Sequence, residues 1–426
     1  MAGGEHVRAH VAVVGGGPAG VAAAVAAARS GLDTLLLEWH GFLGGSRTAT
    51  AVDTFYGFWT PGDARPLVGG IGLEIVERTL ETGAFRRENT YGAGPGVTCD
   101  TELLKLQLDE LVTGAGARVS YHSVVSGVEP DADGWRLHVA APTAGTWTVR
   151  ADYLIDASGD ATAAALAGAP VFDAYRDGVA QALTTIFFLG GVDVERAMAV
   201  SHQERTAMIA EADASGEYRL PRHEGSLHRT PHPDVLQANI VRIAGVDATD
   251  PAALTAAEIE GRRQAYEYLR FFRDRLPGCE HAFIVRLGHQ IGIRETRRIV
   301  GRTILSEEDV LAGRVGDDGI ALCGAPIEDH RAGSDTRWAS VGGDGVYSIP
   351  YGSLLPREFD DRMIVAGRCL SAEHAAQASA RNSAQAFATG EAAGYAIAAA
   401  AEAGGSPADV DVSVVRTRIL DAGGML

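Results

Sequence analysis

The stretch "HVAVVGGGPAG" (residues 10–20) decides how the N-terminal part of the chain folds. Residues 10–14 form an apolar run that predicts a short buried strand. The glycine-rich turn leads into "VAAAVAAARSG", a strong helix former that ends at Gly31. "DTLLLE" (33–38) then predicts a second buried strand. A glycine-rich turn in this strand–helix–strand context is typical of a dinucleotide-binding site.

Three glycines and one acidic residue suit this motif to a dinucleotide. Gly15 allows the tight turn, Gly17 lets the backbone approach a pyrophosphate, and Gly20 lets the helix pack closely on the strand. The phosphates would lie at the helix N-terminus, where unpaired N–H groups and the macrodipole favour anions. Glu38 ends the second strand, where it can accept hydrogen bonds from ribose hydroxyls and disfavours a 2′-phosphate. The motif alone leaves NAD and FAD open.

Composition excludes several other classes of function. The 426 residues include 37 Lys and Arg against 55 Asp and Glu, a net charge of −18, which repels nucleic acids and anionic membrane surfaces. The four cysteines lie far apart with no CxxC pair, so we expect no redox dithiol and no metal site. No signal peptide is visible, and the alanine-rich stretches 19–28 and 392–401 are too short to span a bilayer. We therefore expect a cytoplasmic protein without nucleic-acid or membrane partners.

Two later segments have the form of further nucleotide-contacting units. "YLIDASGDATAAALAG" (153–168) predicts a strand, a small-residue turn and a helix, preceded by a strand at 117–130 and a meander at 135–151. "RMIVAGRCLSAEHAA" (362–376) predicts another buried strand, followed by Gly367-Arg368 and a long helix that runs to about residue 402.

With these segments in view, the chain resembles the FAD-dependent oxidoreductase family of the glutathione-reductase-like flavoprotein superfamily. The matching stretches frame residues 10–402 in family order: "VVGGGPAGVAAAVAAARSG…LLLEWHGFLGG", "CDTELLKLQLDELVTGAGARV", "YLIDASGDATAAALAGAP", "IGIRETRRIVG" and "YSIPYGSLLP…RMIVAGRCLSAEHAA". The resemblance implies that the dinucleotide is FAD, held without a covalent bond. Cys369 and His374 are the residues near enough in sequence to the flavin helix to be considered for covalent attachment.

The resemblance also implies an α/β fold with a Rossmann-type FAD-binding domain. That domain would have ββαββ order, a parallel sheet and a β-meander, and an inserted mixed α+β substrate or cap domain. The expected boundaries are 1–170 and 351–405 for the FAD-binding domain, 171–350 for the cap, and 406–426 for a C-terminal tail.

The same resemblance implies which residues contact the cofactor. The family's final helix points its N-terminus at the pyrimidine end of the flavin, a position that residues 367–374 match. The implied FAD-binding residues are Gly15, Gly17, Pro18, Ala19, Gly20, Glu38, Gly44, Gly45, Ser46, Arg47, Thr48, Val125, Ala157, Ser158, Gly159, Gly367, Arg368 and His374.

Reductases of the two-dinucleotide type need a second glycine-rich strand-to-helix turn, and we find none. NAD(P)H as a second cofactor therefore has no motif of its own. Single-Rossmann flavin monooxygenases resemble a pattern with Gly-Asp before the last helix, whereas this chain has Gly367-Arg368. Halogenases of the superfamily rely on a lysine, but Lys105, the only lysine, lies on a predicted helix as a solvated charge.

Four residues are candidates for catalysis: His330, His374, Tyr347 and Arg294. A histidine can take or give a proton near neutral pH, although His330 in "IEDHRAG" is equally readable as an ordinary loop histidine. Tyr347 offers a hydrogen-bonding hydroxyl, as does Tyr351. Arg294 either touches flavin or substrate or forms a structural pair with Glu295.

Local patterns in the cap are mostly structural predictions. Residues 193–213 and 255–276 predict amphipathic helices, and 287–301 predicts a strand that crosses between domains. Ser306 and Asp309 predict a capped helix start.

The leading hypothesis is an FAD-dependent oxidoreductase that moves a hydride from a small organic, biosynthetic substrate to flavin N5, with oxygen or a carrier as the final acceptor. Arg47 and Arg294 suggest an anionic substrate. The alternatives are an NAD(P)H-dependent flavin monooxygenase and a flavin-binding subunit of a larger complex. Apart from the substrate we expect no obligatory partner, and a monomer or homodimer.

Overall fold

The computed structural model describes residues 6–88, 92, 94–330, 336–360 and 362–426. The described residues form eleven α-helices: α1 Pro18–Arg29, α2 Gly70–Glu81, α3 Thr101–Gly114, α4 Thr162–Leu166, α5 Val194–Ala199, α6 His202–Ala214, α7 Pro251–Arg275, α8 Glu307–Ala312, α9 His374–Ala380, α10 Ser383–Ala403 and α11 Val412–Asp421.

They also form twenty strands, most of them short: β1 His6–Val14, β2 Thr34–Leu37, β3 Thr54–Phe55, β4 Phe85–Arg87, β5 Gly96–Thr98, β6 Arg118–Ser120, β7 Val124–Asp131, β8 Gly134–Ala141, β9 Gly145–Asp156, β10 Val171–Asp173, β11 Phe187–Gly190, β12 Ser226–Arg229, β13 Leu236–Asn239, β14 Phe283–Leu287, β15 Arg297–Ile299, β16 Gly319–Cys323, β17 Ile327–Asp329, β18 Arg337–Ala339, β19 Tyr347–Pro350 and β20 Met363–Val365.

The main sheet confirms the predicted Rossmann-type architecture. Its seven strands run in the order β6-β2-β1-β9-β8-β7, with β20 also paired to β9. The pairs among β6, β2, β1, β9 and β20 are parallel, and β7, β8 and β9 form the predicted antiparallel meander. The single strand predicted at 117–130 is wrong, because its first part is β6 beside β2 and its second part is β7 at the opposite edge. The turn at residues 121–123 allows this separation.

The alanine-rich stretches form two helices that pack against each other. In α10, a Cβ on Gly390 would lie 2.1 Å from the Ala19 carbonyl oxygen of α1, and one on Gly394 would lie 2.6 Å from Ala26 Cβ. Only residues with small side chains allow this closeness, so the alanines and glycines serve helix packing rather than a bilayer. In the part of the chain that the structure describes, no helix is both long and apolar enough to cross a membrane.

A second hydrophobic core lies between the antiparallel sheet β12-β13-β11-β14 and helices α5, α6 and α7. The helix predicted at 193–213 is two helices, because Ser201 caps α6 and interrupts the run at Val200. Helix α7 begins four residues before the predicted start, since Asp250 caps it and Pro251 occupies its first turn. Residues of β16, β17 and β19 pack instead into the core shared with α1 and α10. The domain boundaries at 170 and 350 stay a prediction.

The strand predicted across 287–301 is wrong over residues 288–296. Its backbone bonds to three different segments in turn: the Gly288 N–H donates to Ile186, that of Gln290 to Ala49, and that of Gly292 to Thr184. Such changes of partner prevent one continuous ladder. The capped start of α8 is confirmed, because the Ser306 and Asp309 side chains each bond the other's backbone N–H.

Candidate functional site

One large cavity of about 750 Å³ brings the predicted motifs together. We divide its lining into two groups. The nucleotide cradle is lined by Gly15, Gly17, Glu38, Ser158 and Gly367, all from predicted dinucleotide motifs. The charged chamber is lined by Arg222, Glu224, Arg294, Glu328, His330, Thr336 and Arg381.

The glycines of the first motif have the spatial roles that a phosphate loop requires. Gly15 has φ +98°, and a Cβ there would lie 2.6 Å from the Ala157 carbonyl oxygen. A Cβ on Gly20 would lie 1.8 Å from the Gly15 carbonyl oxygen, so helix α1 starts directly against the turn. Gly17 differs, because its Cβ would meet only Gly45 Cα at 3.8 Å, and the space beside it belongs to the cavity. That open side is where a pyrophosphate fits.

Glu38 is held in place by backbone and side-chain donors. Its Oε2 accepts the Gly16 N–H at 2.6 Å, and Oε1 accepts the His40 N–H at 2.8 Å and lies 2.8 Å from His40 Nδ1. His40 Nε2 in turn lies 3.1 Å from Gln290 Oε1. A carboxylate accepts about four hydrogen bonds, so Glu38 keeps capacity for a ribose hydroxyl. Trp39, which also lines the cavity, is 57% exposed and offers a flat apolar surface nearby.

Arg368 ties the two later motifs together. Its Nη2 lies 2.6 Å from Asp160 Oδ1, and its Nη1 donates to the Ile293 carbonyl. Thr296 Oγ1 donates to the same Asp160 oxygen at 2.5 Å. The guanidinium therefore fixes the turn after β9 against the turn after β20, and both turns line the cavity.

The sequence predicted that a helix N-terminus at residues 367–374 faces the flavin. In the structure, the helix N-terminus at the cavity is that of α10. Residues 367–369 form a 3-10 turn, α9 is only seven residues long, and the long helix α10 begins at Ser383 after an extended Asn382. Asn382, Ser383 and Ala386 line the cavity, and the buried Ser383 Oγ has no hydrogen-bond partner in the described part of the chain. A helix start with an unpaired hydroxyl fits the electron-rich, hydrogen-bonding end of a flavin ring.

Three arginines of the charged chamber have few acceptors. Arg294 Nη1 donates to the Ala182 carbonyl at 2.6 Å, Arg381 Nη2 donates to the Glu328 carbonyl at 3.2 Å, and Arg222 Nη1 donates to the Asn239 carbonyl at 3.4 Å. Within the described ranges of the chain, the buried Nε atoms of Arg222 and Arg381 have no hydrogen-bond partner. Burial, and then the charges of Arg381 and Arg222, lower the pKa of Arg294 well below its ordinary value.

His330 lies in a chain of hydrogen-bonding groups within the chamber. Its Nε2 is 2.9 Å from Glu328 Oε1, and its Nδ1 is 3.0 Å from Thr336 Oγ1. Thr336 Oγ1 donates to Glu224 Oε1 at 2.7 Å. Burial and then Arg294 lower the pKa of His330 to about 3. Burial opposes ionisation of Glu328, but the bond from His330 and the charges of His330, Arg381 and Arg294 outweigh it and lower its pKa to about 2. At neutral pH the imidazole is therefore neutral and Glu328 is ionised.

Most of the predicted site residues line this cavity, and five do not. Those that line it are Gly15, Gly17, Pro18, Ala19, Glu38, Gly45, Ser46, Arg47, Val125, Ala157, Ser158, Gly159, Arg294, His330, Gly367 and Arg368. Those outside its lining are Gly20, Gly44, Thr48, Tyr347 and His374. Gly44 and Thr48 shape the loop instead, because Thr48 Oγ1 donates to the Leu43 carbonyl at 2.6 Å and contacts the position of a Gly44 Cβ.

The structure places Tyr347 and His374 in the protein interior, away from the roles predicted for them. The Tyr347 hydroxyl is fully buried and lies 2.8 Å from Ser379 Oγ. His374 lies between two buried carboxylates, with Nδ1 2.8 Å from Glu295 and Nε2 3.0 Å from Asp329. Glu295 also pairs with Arg298, not with its sequence neighbour Arg294. These contacts give His374 a structural role.

Other predicted residues have simple positions. Arg47 is buried, donates to the Thr54 carbonyl and lies over the Phe55 ring, with its pKa lowered by burial to about 10. Lys105 bonds Glu102 at 2.7 Å and lies outside the cavity lining. Cys369 is buried, and neither it nor His374 lines the cavity.

The sequence predictions missed Arg222, Glu224, Glu328, Thr336 and Arg381. One signal was available for Arg381, since an arginine inside the alanine-rich segment "AAQASARNSAQAF" must be buried with the helices around it. Glu328 stands two residues before His330 in "IEDHRAG", and the other three stand in segments with no local motif. Only their convergence on one cavity distinguishes them.

Comparisons with known proteins agree with this geometry. The chain has the fold of a geranylgeranyl bacteriochlorophyll reductase-like protein from Thermoplasma acidophilum, with TM-score 0.50, 14% identity, and coverage of 99% of this chain and 85% of that one. It has a similar likeness to p-nitrophenol 4-monooxygenase from Pseudomonas putida DLL-E4, with TM-score 0.52, 12% identity, and coverage of 98% and 84%. A search of curated protein sequences found no match. The family model for FAD dependent oxidoreductases matches residues 10–419, and the chain belongs to that family.

Proposed function

We propose that the protein oxidises a small organic substrate by hydride removal, with His330 receiving the accompanying proton. The observation that carries this proposal is that a neutral, hydrogen-bonded histidine lines the same cavity as the nucleotide motifs. FAD bound in the cradle supplies the hydride acceptor at flavin N5.

The residues of the cradle fit FAD in three places. The open side of Gly17 accommodates the pyrophosphate, and Glu38 keeps capacity for a ribose hydroxyl. The N-terminus of α10, with the unpaired Ser383 Oγ, can stabilise negative charge on the ring. None of these three contacts requires a covalent bond between FAD and Cys369 or His374.

The hydrogen-bond chain explains how His330 acts as a base. Three contacts link Glu328, His330, Thr336 and Glu224, but a neutral imidazole and a threonine hydroxyl together supply only two hydrogens. Since Nε2–H faces the ionised Glu328 and the Thr336 hydroxyl faces Glu224, Nδ1 keeps a lone pair. A proton on Nδ1 would complete the third hydrogen bond, while burial and the charge of Arg294, which lower the pKa of His330 to about 3, oppose it.

The reaction then balances with the groups in the cavity. Bound FAD would take a hydrogen with its electron pair from the substrate carbon, and His330 would take the proton from a neighbouring N–H, O–H or C–H group. A C=N, C=O or C=C bond forms in the product. Oxygen or a carrier molecule accepts the electrons afterwards.

The competing function is an NAD(P)H-dependent monooxygenase, in which the nicotinamide rather than the organic substrate reduces the flavin. One of the similar folds named above belongs to a monooxygenase, which supplies the fold and no more. The pattern that such monooxygenases resemble has an aspartate after the glycine, where this chain has Arg368. Arg368 pairs with Asp160. The departure from the Gly-Asp pattern favours the first function.

The visible spectrum of the purified protein under anaerobic conditions tests the proposal. We expect a flavin band that neither NADPH nor NADH bleaches within minutes, and that an organic substrate does bleach. Fast bleaching by either nicotinamide would replace the proposal with the monooxygenase or a reductase. Size-exclusion chromatography of the same sample tests the hypothesis of a subunit of a larger complex. A stable monomer or homodimer that carries flavin would contradict that hypothesis.

A further inference from the structure

Among the residues that the structure describes, the charged chamber holds more positive charge than nearby carboxylates neutralise. Arg242 lies 3.8 Å from Glu224, and Arg381 lies 3.9 Å from Glu328. Arg294 has no carboxylate within ion-pair distance among the described residues. Each arginine side chain has five N–H donors. Arg222, Arg294 and Arg381 each donate to one backbone carbonyl, so most of their donors remain available to a ligand.

Buried guanidinium groups without partners are costly, because each loses its hydration and repels the others. Arg222 is only 8% exposed, and its Nε has no hydrogen-bond partner among the described residues. A protein that used these arginines only for stability would pair them more completely, as it pairs Arg298 with Glu295. Their incompleteness indicates a ligand that supplies the missing negative charge.

We propose that the charged chamber binds a carboxylate group of the substrate, so that the substrate of the proposed oxidation is a small organic acid. The planar, forked guanidinium of Arg294 matches a carboxylate in two parallel hydrogen bonds, with Arg222 and Arg381 as further donors. A carboxylate fits better than a phosphate, because Glu224 and Glu328 line the same chamber and would repel the second negative charge that a phosphate carries on one group. Asn239 and Ser226, which also line it, can bond neutral polar groups of the substrate.

Carboxylate binding has a consequence for His330. After burial, the charge of Arg294 is the largest influence that lowers its pKa. A carboxylate paired with Arg294 cancels much of that charge, so His330 becomes a better base when substrate is present. That the bound carboxylate belongs to the substrate rests on the proposed function. The anion site itself does not.

The test uses the FAD-loaded protein with succinate, acetate, phosphate and the neutral analogue succinamide, at constant ionic strength in chloride. The variants are Arg294→Met and, as a matched control, Arg263→Met on α7, whose side chain is 75% exposed and outside the cavity lining. Two readouts need no turnover: the flavin difference spectrum and the thermal midpoint. Both can be read even if the protein performs a different reaction.

We expect succinate or acetate to give a saturable spectral change in the parent and in Arg263→Met. The affinity in Arg294→Met should fall by about tenfold or more, the loss typical of one charge-assisted pair. Succinamide should give no change. Without added carboxylate, Arg294→Met should melt no lower than the parent, since it removes a repelled charge.

Three outcomes would overturn the inference. They are no response to either carboxylate, an equal response in Arg294→Met, and a response to phosphate stronger than that to succinate. A lower thermal midpoint of Arg294→Met without ligand would also overturn it, because the arginine would then be structural. If NADPH bleaches the flavin while the carboxylate response persists, the oxidation proposal fails and the anion site remains.

Discussion

The two groups of residues that line one cavity are built in opposite ways. The nucleotide cradle uses mainly backbone groups and small residues of contiguous motifs, such as Gly15, Gly17 and Ser158. The charged chamber uses long charged side chains from segments far apart in sequence, among them Arg222, Arg294 and Arg381. A ligand common to many proteins can be held by a local backbone pattern, whereas a particular substrate needs side chains that only the fold brings together.

The largest expected effect comes from the chamber side of this comparison. His330→Gln keeps a side chain of similar reach but cannot take up a proton, so substrate-dependent bleaching of the flavin should slow by about 10²–10⁴-fold. Stopped-flow absorbance with the first organic substrate found measures this rate. FAD content and thermal midpoint should stay unchanged, and a loss below tenfold would remove His330 as the base.

The next largest effect should come from the cradle. A Cβ at residue 17 would meet only Gly45 Cα at 3.8 Å and would face the cavity, so Gly17→Val should fold while FAD affinity falls by roughly a hundredfold, the worth of about two charge-assisted hydrogen bonds. Flavin content after gel filtration and circular dichroism report the two properties separately.

Gly114→Val is the matched control, because nothing lies within 4 Å of its added Cβ. It should retain FAD like the parent. If Gly17→Val also retained FAD, the phosphates would have to bind elsewhere.

The buried carboxyl of Glu391, outside the cavity, sharpens the comparison with the charged chamber. Its hydrogen-bond partners come from the protein itself and not from a ligand. Glu391 on α10 accepts the Ile71 N–H at 3.1 Å, and the Tyr395 hydroxyl lies 3.4 Å away. Burial raises its pKa from 4.5 to about 7. The folded protein therefore holds a proton that the unfolded chain has released, and its free energy of unfolding should fall as pH rises from about 4.5 to about 7.

Glu391→Gln imitates the protonated form and removes this decline. Relative to the parent, the variant should gain of the order of 2 kcal/mol in free energy of unfolding across that pH range. Urea denaturation at several pH values measures it, and parallel curves for the two proteins would contradict the prediction.

The smallest effect is expected at Lys105, the lone lysine. Its ammonium lies 4.1 Å from the centre of the Phe42 ring and 2.7 Å from Glu102, outside the cavity lining, and 15% of its side chain is exposed. Lys105→Met should cost about 1 kcal/mol of stability or less, because its partner Glu102 is 53% exposed, and should leave the flavin spectrum unchanged. A changed spectrum or a lost activity would give this lysine a role in the chemistry.

Local patterns predicted much of the fold and part of the site. The strand–turn–helix at residues 10–29, the meander and the capping box at Ser306 each depend on interactions within a few residues or on hairpin neighbours. The predictions that went wrong, a strand across 287–301 and a helix N-terminus at 367–374, concern segments whose hydrogen-bond partners are distant. No local periodicity reports a distant partner.

The same division holds for the side chains. Gly15, Gly17 and Glu38 could be named because their spacing within one βαβ unit sets their function. Tyr347 and His374 were named from their neighbourhood in sequence, and the fold turned both into interior hydrogen-bonding groups. Arg381 and Glu328 belong to segments that meet only after α9 packs on β17.

The sequence by itself determined the dinucleotide motif, the succession of strand–turn–helix segments along the chain and the family to which the chain belongs. Backbone turns and apolar periodicity are short-range properties, so they can be read from consecutive residues. Tertiary structure alone decided which charges lie together, namely Arg222, Arg294 and Arg381 with Glu224 and Glu328 beside a neutral histidine. The energy of a buried charge depends on every group around it, whichever part of the chain supplies that group.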